Sequence, residues 1–323
     1  MAVGLGYRFL QVDASDDSRP ILQRLGFVAV TTTTPYVWTP SRDPSSMPSS
    51  SPVARALVSA DVTTRPVRVA LQLQQQHADY PAIRDAVREA EDLGADIVFT
   101  WDHFFPLYGP DDDKHLECWT MLGAWAEQTS RVQIGALVTC NSYRNPDLLA
   151  DMARTVDNIS NGRLILGIGS GWFQRDYDEY GYAFGTAGSR LAALAEALPR
   201  IQRRWSKLNP PPTRQIPVLI GGGGERKTLR LVAAHADIWH SFGDVGTVRH
   251  KSAVLAEHCA DVGRDPAEIE RSVGVQGVQG AGDPERAGPA LLDAGITLFT
   301  VGVGGPRYDL GGLRRWVAWR DSL

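Results

Sequence analysis

A (β/α)8 barrel, the TIM-barrel fold, is the class this chain predicts, and three observations predict it. From Val67 onward, short apolar runs and amphipathic stretches alternate through eight units. The apolar runs are nearly continuous, as expected of strands covered on both faces in a parallel sheet. Glycines and polar residues gather where those runs end, the end at which such a barrel carries its chemistry. A doubly wound open sheet is the competing arrangement; eight consecutive units favour closure.

Taken in order, the chain opens on a piece apart from the barrel. Residues 1–38 read strand, helix, strand. GYRFLQVDA is β-prone, Ser15 or Asp16 is placed to cap a helix through Leu25, Gly26 suits its end, and FVAVTTTTPYVW is β-prone again. Pro35 limits that run to an edge or an end. Such a piece is too small to bury a core of its own. Residues 39–65 follow as a linker, beginning TPSRDPSSMPSSSP, where serine and proline dominate.

Residues 66–323 form the barrel domain. Its strand candidates are Val67–Leu73, Asp96–Phe104, Val132–Thr139, Leu164–Gly169, Pro217–Ile220, Asp237–Ser241, Glu270–Gly277 and Ile296–Val303. Between them, Leu149, Met152, Ala153, Val156 and Ile159 share one helical face. Asn145-Pro146 puts a capping residue before a proline of the first helical turn. Gly94 and Gly263 stand where helices should stop.

The bulk numbers narrow the class. A chain of 323 residues holds one large barrel and a small extra piece. A net charge of -4 argues against a general nucleic-acid binder. The 3 cysteines, Cys118, Cys140 and Cys259, are too sparse for a disulfide framework and lack metal-ligand spacing, which suits a reducing cytoplasm. No stretch approaches the apolar length of a membrane span, and the N-terminus lacks the pattern of a signal peptide.

Four strand ends carry candidate chemistry. The second ends in TWDHFF, where Asp102 and His103 leave the barrel. A histidine beside a carboxylate moves a proton near neutral pH, or the pair only ties down a loop; both readings stand. The third runs GALVTCNSYRNP, small and polar at its exit. The fourth ends in GIGSGW, either a backbone laid against a ligand or a tight turn, with Trp172 as a stacking surface or plain packing. The fifth ends in IGGGGERKTLRL, where Gly221 to Gly224 open a helix and offer free amides to a phosphate. Asp111–Asp113 reads as a solvated loop. His235 and His240 read as structural or as pocket lining, and His77 also falls near the mouth.

Taken together, DHF at 102–104, GALVTCNSYRNP, GIGSGW, and IGGGG leading into TLRLVAAHAD resemble the luciferase-like flavin-dependent family, and more closely its branch using the deazaflavin coenzyme F420. The resemblance covers about residues 66–323. It implies that Asp102 and His103 face the deazaflavin ring, with His103 the better candidate for proton transfer. It implies a non-prolyl cis peptide at Leu137–Val138, forming a bulge behind the ring. Asn141, Gly169, Ser170, Gly171 and Trp172 would line the cofactor, and Gly222, Gly223 and Gly224 would hold its phosphate. Sugar-phosphate dehydrogenases of the family carry a glutamate where this chain has Trp172, so that activity is not implied. The segment KLNPPPTRQI is shorter here than in many relatives. Residues 1–38 separately resemble the C-terminal end of a GNAT acetyltransferase, without that family's upstream glycine turn, and read as a remnant, a fusion scar or a misplaced start.

The function implied is hydride transfer between coenzyme F420 and a small organic substrate, with a homodimer as the common assembly. FMN-dependent monooxygenation on the same barrel is one alternative; a barrel that binds flavin without turnover is another. No metal is expected.

Overall fold

The barrel is closed by a pairing between two strands that are not neighbours in the chain. In a computed structural model describing residues 65–278 and 280–323, the strands β1 (Arg68–Gln74), β2 (Ile97–Thr100), β3 (Gln133–Ala136), β4 (Thr139–Cys140), β5 (Leu164–Gly169), β6 (Val218–Gly221), β7 (Ile238–Ser241), β8 (Glu270–Gly274) and β9 (Leu298–Gly304) run parallel. Their order is β3-β2-β1-β9-β8-β7-β6-β5-β4, and β3 also pairs with β5, so the sheet returns on itself. The acetyltransferase-like segment and the linker up to residue 64 fall outside the described residues.

The eight expected strand positions are all present, with three corrections at their ends. The run 132–139 is not one strand: it breaks at the cis Leu137–Val138 peptide into β3 and β4. The run 96–104 pairs only through Thr100, because the Gln75 side chain then takes over the backbone. Its amide donates to Trp101 O at 2.5 Å, and its oxygen accepts from Thr100 Oγ1 at 2.5 Å. The run 270–277 ends at Gly274 and turns through a 3-10 segment, Val275–Gly277.

Nine α-helices of the described residues cover the outside: α1 (Tyr80–Asp92), α2 (Cys118–Gln128), α3 (Pro146–Ile159), α4 (Gln174–Tyr180), α5 (Ala187–Trp205), α6 (Thr228–His235), α7 (Val245–Asp261), α8 (Pro284–Leu292) and α9 (Gly311–Asp321). Most bury an apolar stripe on the barrel side, whereas α4 buries Asp176 and Tyr177 in a small cluster with Cys140 and Tyr143. In α1 that stripe is Ile83, Ala86, Val87 and Ala90. Gly94 follows it at φ +93, a left-handed conformation that a side chain would oppose. Helix α3 starts as its sequence says, with Asn145 accepting from Asp147 N at 2.9 Å ahead of Pro146. Its stripe buries Leu149, Ala153 and Val156, but Ile159, in its last turn, is 46% exposed.

Inside the barrel, Ala70, Ile97, Phe99, Leu137, Ile165, Leu219, Ile238 and Leu298 pack together. Because side chains alternate along a strand, these positions fix which residues face inward above and below them. Below, at the N-terminal end, Arg68 donates Nε to Glu270 Oε1 at 3.0 Å and Nη1 to Gln133 Oε1 at 2.6 Å. That ion pair and the apolar layer close the lower end. Surface cavities of about 390 Å³ and 380 Å³ lie at or near this end, lined by residues such as Arg264 and Arg68, away from the C-terminal mouth. The described cysteines are free and buried. No helix of the described residues is long and apolar enough to cross a membrane.

Candidate active site

His103 sits three residues past the end of β2, and its ring is fixed from behind. Nδ1 lies 2.7 Å from Asp176 Oδ2. Asp176, on α4, is fully buried, and it also accepts from Tyr143 OH at 2.7 Å and Phe104 N at 3.1 Å. Burial pushes the Tyr143 hydroxyl well up, so it remains a donor to that carboxylate. Around the ring stand Trp101, Trp172 and Phe173, edge-on, with centroids 6.1, 5.7 and 5.4 Å away. Nε2 has no protein partner among the described residues. This arrangement fixes a tautomer and leaves one nitrogen free for a proton.

Asp102 is placed differently from its neighbour. Both its oxygens are taken: Arg144 donates Nη1 to Oδ2 at 2.6 Å and Nη2 to Oδ1 at 2.9 Å, and Cys140 N donates to Oδ2 at 3.0 Å. Its exposure is 1%. Arg144 Nη2 also reaches Glu117 Oε1 at 2.7 Å. Burial works against the Arg144 charge, but the carboxylates beside it more than offset this and raise its pKa. Contrary to the sequence expectation, Asp102 therefore presents no free carboxylate to a ligand; it ties β2 to the β4–α3 connection.

The Leu137–Val138 peptide is cis, at the position that the resemblance named. Leu137 O accepts from Gln72 Nε2 at 3.1 Å. Val138 then points its two methyls at two glycines. A β-carbon on Gly169 would lie 2.8 Å from Cγ2, and one on Gly221 would lie 2.9 Å from Cγ1. The glycines at these strand ends are thus explained first by Val138. Gly171 is closed off in the same way, since a β-carbon there would strike the Tyr177 hydroxyl and Cys140 Sγ. Asn141 is buried, and its side-chain oxygen lacks a partner. Ser170 is half-buried, its carbonyl 3.5 Å from Tyr177 OH. Trp172 is 63% exposed at the rim.

The glycine turn after β6 departs from expectation in two ways. Helix α6 begins only at Thr228, so the glycines lead into a turn at 225–227 rather than directly into the helix. Gly222, at φ +130, spends its amide on His240 O at 3.1 Å. Gly223 and Gly224 keep theirs free among the described contacts. Above Gly223 lies the Lys251 ammonium of α7, close enough that any β-carbon would collide with it. A backbone amide pair beneath a lysine is a fitting cradle for a phosphate.

Sequence reasoning did not single out Asp176, Tyr143, Arg144 or Lys251. Tyr143 and Arg144 stand in the string GALVTCNSYRNP without being marked there, whereas Asp176 and Lys251 are brought in by the fold from neighbouring helices and carry no local motif. Of the other histidines, His77 is held by Asp113 at 2.8 Å and Tyr108 O at 2.6 Å, tying down the acidic loop. His240 is buried inside the barrel, Nδ1 2.9 Å from Ser272 Oγ. No cluster of metal-ligating side chains occurs among the described residues.

The chain belongs to the family described as luciferase-like monooxygenase, whose model it matches over residues 62–287. It is 32% identical over 169 residues to the F420-dependent glucose-6-phosphate dehydrogenase of Amycolatopsis mediterranei (strain U-32), covering 46% of this chain and 50% of that protein. The match thus spans about half the length of that curated relative. It is 27% identical over 270 residues to the phthiodiolone/phenolphthiodiolone dimycocerosates ketoreductase of Mycobacterium tuberculosis (strain ATCC 25618 / H37Rv), covering 71% of this chain and 69% of that protein. Among solved structures, it shares its fold with an F420-dependent secondary alcohol dehydrogenase in complex with an F420-acetone adduct. The TM-score is 0.68 at 17% identity, over 78% of this chain and 98% of that one. The F420-dependent tetrahydromethanopterin reductase from Methanopyrus kandleri aligns with a TM-score of 0.60 at 16% identity, over 78% and 97%.

Proposed function

We propose that residues 66–323 form an oxidoreductase that moves a hydride between coenzyme F420 and a small organic substrate. One observation carries the reading: His103 offers a free Nε2 at the barrel mouth while a buried carboxylate holds its other nitrogen. The F420-dependent relatives favour the same cofactor.

The residues fit such a group. Gly223, Gly224 and Lys251 would hold its phosphate, and Val138, wedged between Gly169 and Gly221, would floor its ring. When bound, the deazaflavin supplies a hydride donor or acceptor at its C5. His103 gives or takes the proton at the substrate heteroatom. Trp101, Trp172 and Phe173 shield that proton from bulk water. FMN-dependent monooxygenation is the second reading, favoured by the family's description and by a fold neighbour that is an EDTA monooxygenase from Chelativorans sp. BNC1.

Fluorescence titration of the full chain with F420 and with FMN tests the cofactor. Preferential binding of F420 is the expected result; preference for FMN moves the assignment to oxygen chemistry, and binding of neither overturns both. His103→Ala should lower turnover by about 10²–10³-fold with F420 affinity retained.

A further inference from the structure

Across the mouth from His103 stands a second imidazole with different surroundings. From β2 to β7 is four strands in either direction around the barrel, so the two strands face each other. His240 points inward from β7, two residues above Ile238 of the inner layer. It is 1% exposed. Nδ1 is held by Ser272 Oγ at 2.9 Å, and Ser272 Oγ in turn lies 3.2 Å from Thr300 Oγ1. Nε2 has no partner among the described residues. Burial holds the pKa of His240 down at about 4, so the ring is neutral at physiological pH.

Gly274 marks what lies before that nitrogen. A β-carbon there would sit 3.8 Å from His240 Nε2 and 3.6 Å from Gln276 Oε1. The missing side chain leaves room for about a methyl group, flanked by two neutral polar groups. Gln276 lies across it, its amide nitrogen close against Gly302. Phe242, 61% exposed, stands edge-on to the His240 ring at 4.9 Å and gives the gap an apolar lip. The inward residues of this wall above Glu270 are His240, Ser272, Gly274, Thr300 and Gly302, and none carries a charge.

We infer that His240 Nε2 and Gln276 form the substrate oxygen subsite, and that it takes an uncharged ketone or alcohol with an apolar body rather than a phosphorylated sugar. A phosphate needs a cation or a nest of amides, and this wall has neither on its strands. The hydroxyl chain through Ser272 and Thr300 can run in either sense. His240 Nε2 therefore donates to a carbonyl or accepts from a hydroxyl without gaining charge. The inference rests on the oxidoreductase reading above but concerns a different wall of the mouth.

The test uses full-length protein with ¹⁵N-labelled histidine, with and without F420. The His240 signal is assigned by its loss in His240→Gln. Titration with cyclohexanone should shift that signal saturably, and titration with glucose 6-phosphate should not. His240→Gln and Gln276→Ala should each weaken cyclohexanone binding by about fivefold, with F420 affinity unchanged. Tighter binding of the sugar phosphate, no shift with the ketone, or unaltered ketone affinity in both variants overturns the subsite. Failure of F420 to bind overturns the F420 reading instead, because the ketone titration is read in the cofactor-free protein as well.

Discussion

Asp176 grips His103 at 2.7 Å from 73 residues away in the chain. The carboxylate is fully buried and uses both oxygens, one on the Phe104 amide and one shared by His103 and Tyr143. A buried acceptor at Nδ1 orients the imidazole and leaves Nε2 turned to the mouth.

That grip has a kinetic signature. Asp176→Asn keeps the volume but replaces an acceptor-only group with an amide. Turnover should fall by about 10–100-fold while F420 affinity changes little. Steady-state kinetics beside fluorescence titration check this. A loss of cofactor binding equal to the loss of turnover would mean Asp176 only holds the fold.

Lys251 gives a second test. Its ammonium hangs over Gly223 and has no other partner among the described residues. Lys251→Ala should weaken binding of a phosphate-bearing cofactor by about tenfold and flatten its dependence on salt. Equal affinities at low and high ionic strength in both proteins would count against it.

The Val138 wedge predicts a compensating pair. Gly169→Ala places a β-carbon 2.8 Å from a Val138 methyl and should cost about 1–3 kcal/mol in urea unfolding. Val138→Ala removes the methyl and should recover part of that loss in the double variant. Strict additivity would show the two do not meet.

Two neutral histidines make stability depend on pH. Burial lowers both His115 and His240 to about 4, against an ordinary value of 6.5. The unfolded chain protonates them first, so their contribution is complete above pH 6.5 and declines as pH falls toward 4. Each should contribute a slope of at most about 1 kcal/mol per pH unit, steepest in the middle of that window. Urea midpoints from pH 6.5 down to 5 should fall less steeply for His240→Gln.

The barrel was legible because its signals are periodic. Every strand position and the caps at Asn145 and Gly94 follow from local rules that need no knowledge of the far chain. The site divides along the same line. His103 and the glycine turns stand in recognisable strings, whereas Asp176 and Lys251 arrive from helices whose sequences do not advertise them. Asp102 misled for the same reason. Arg144, which occupies it, lies 42 residues on, and nothing in the string DHF says that its carboxylate is already engaged. The glycines misled more gently: Gly169 and Gly221 look like ligand glycines until Val138 is seen between them.

The bond between Arg68 and Glu270, with Gln133 beside it, has a consequence for traffic. It bolts one end of the barrel, and the apolar layer above leaves no passage through. On the proposed reading, cofactor, substrate and product would all use the C-terminal mouth. On that reading the group lodged deepest would enter first and leave last, an order set by the closed end of the barrel rather than by any residue that touches a ligand.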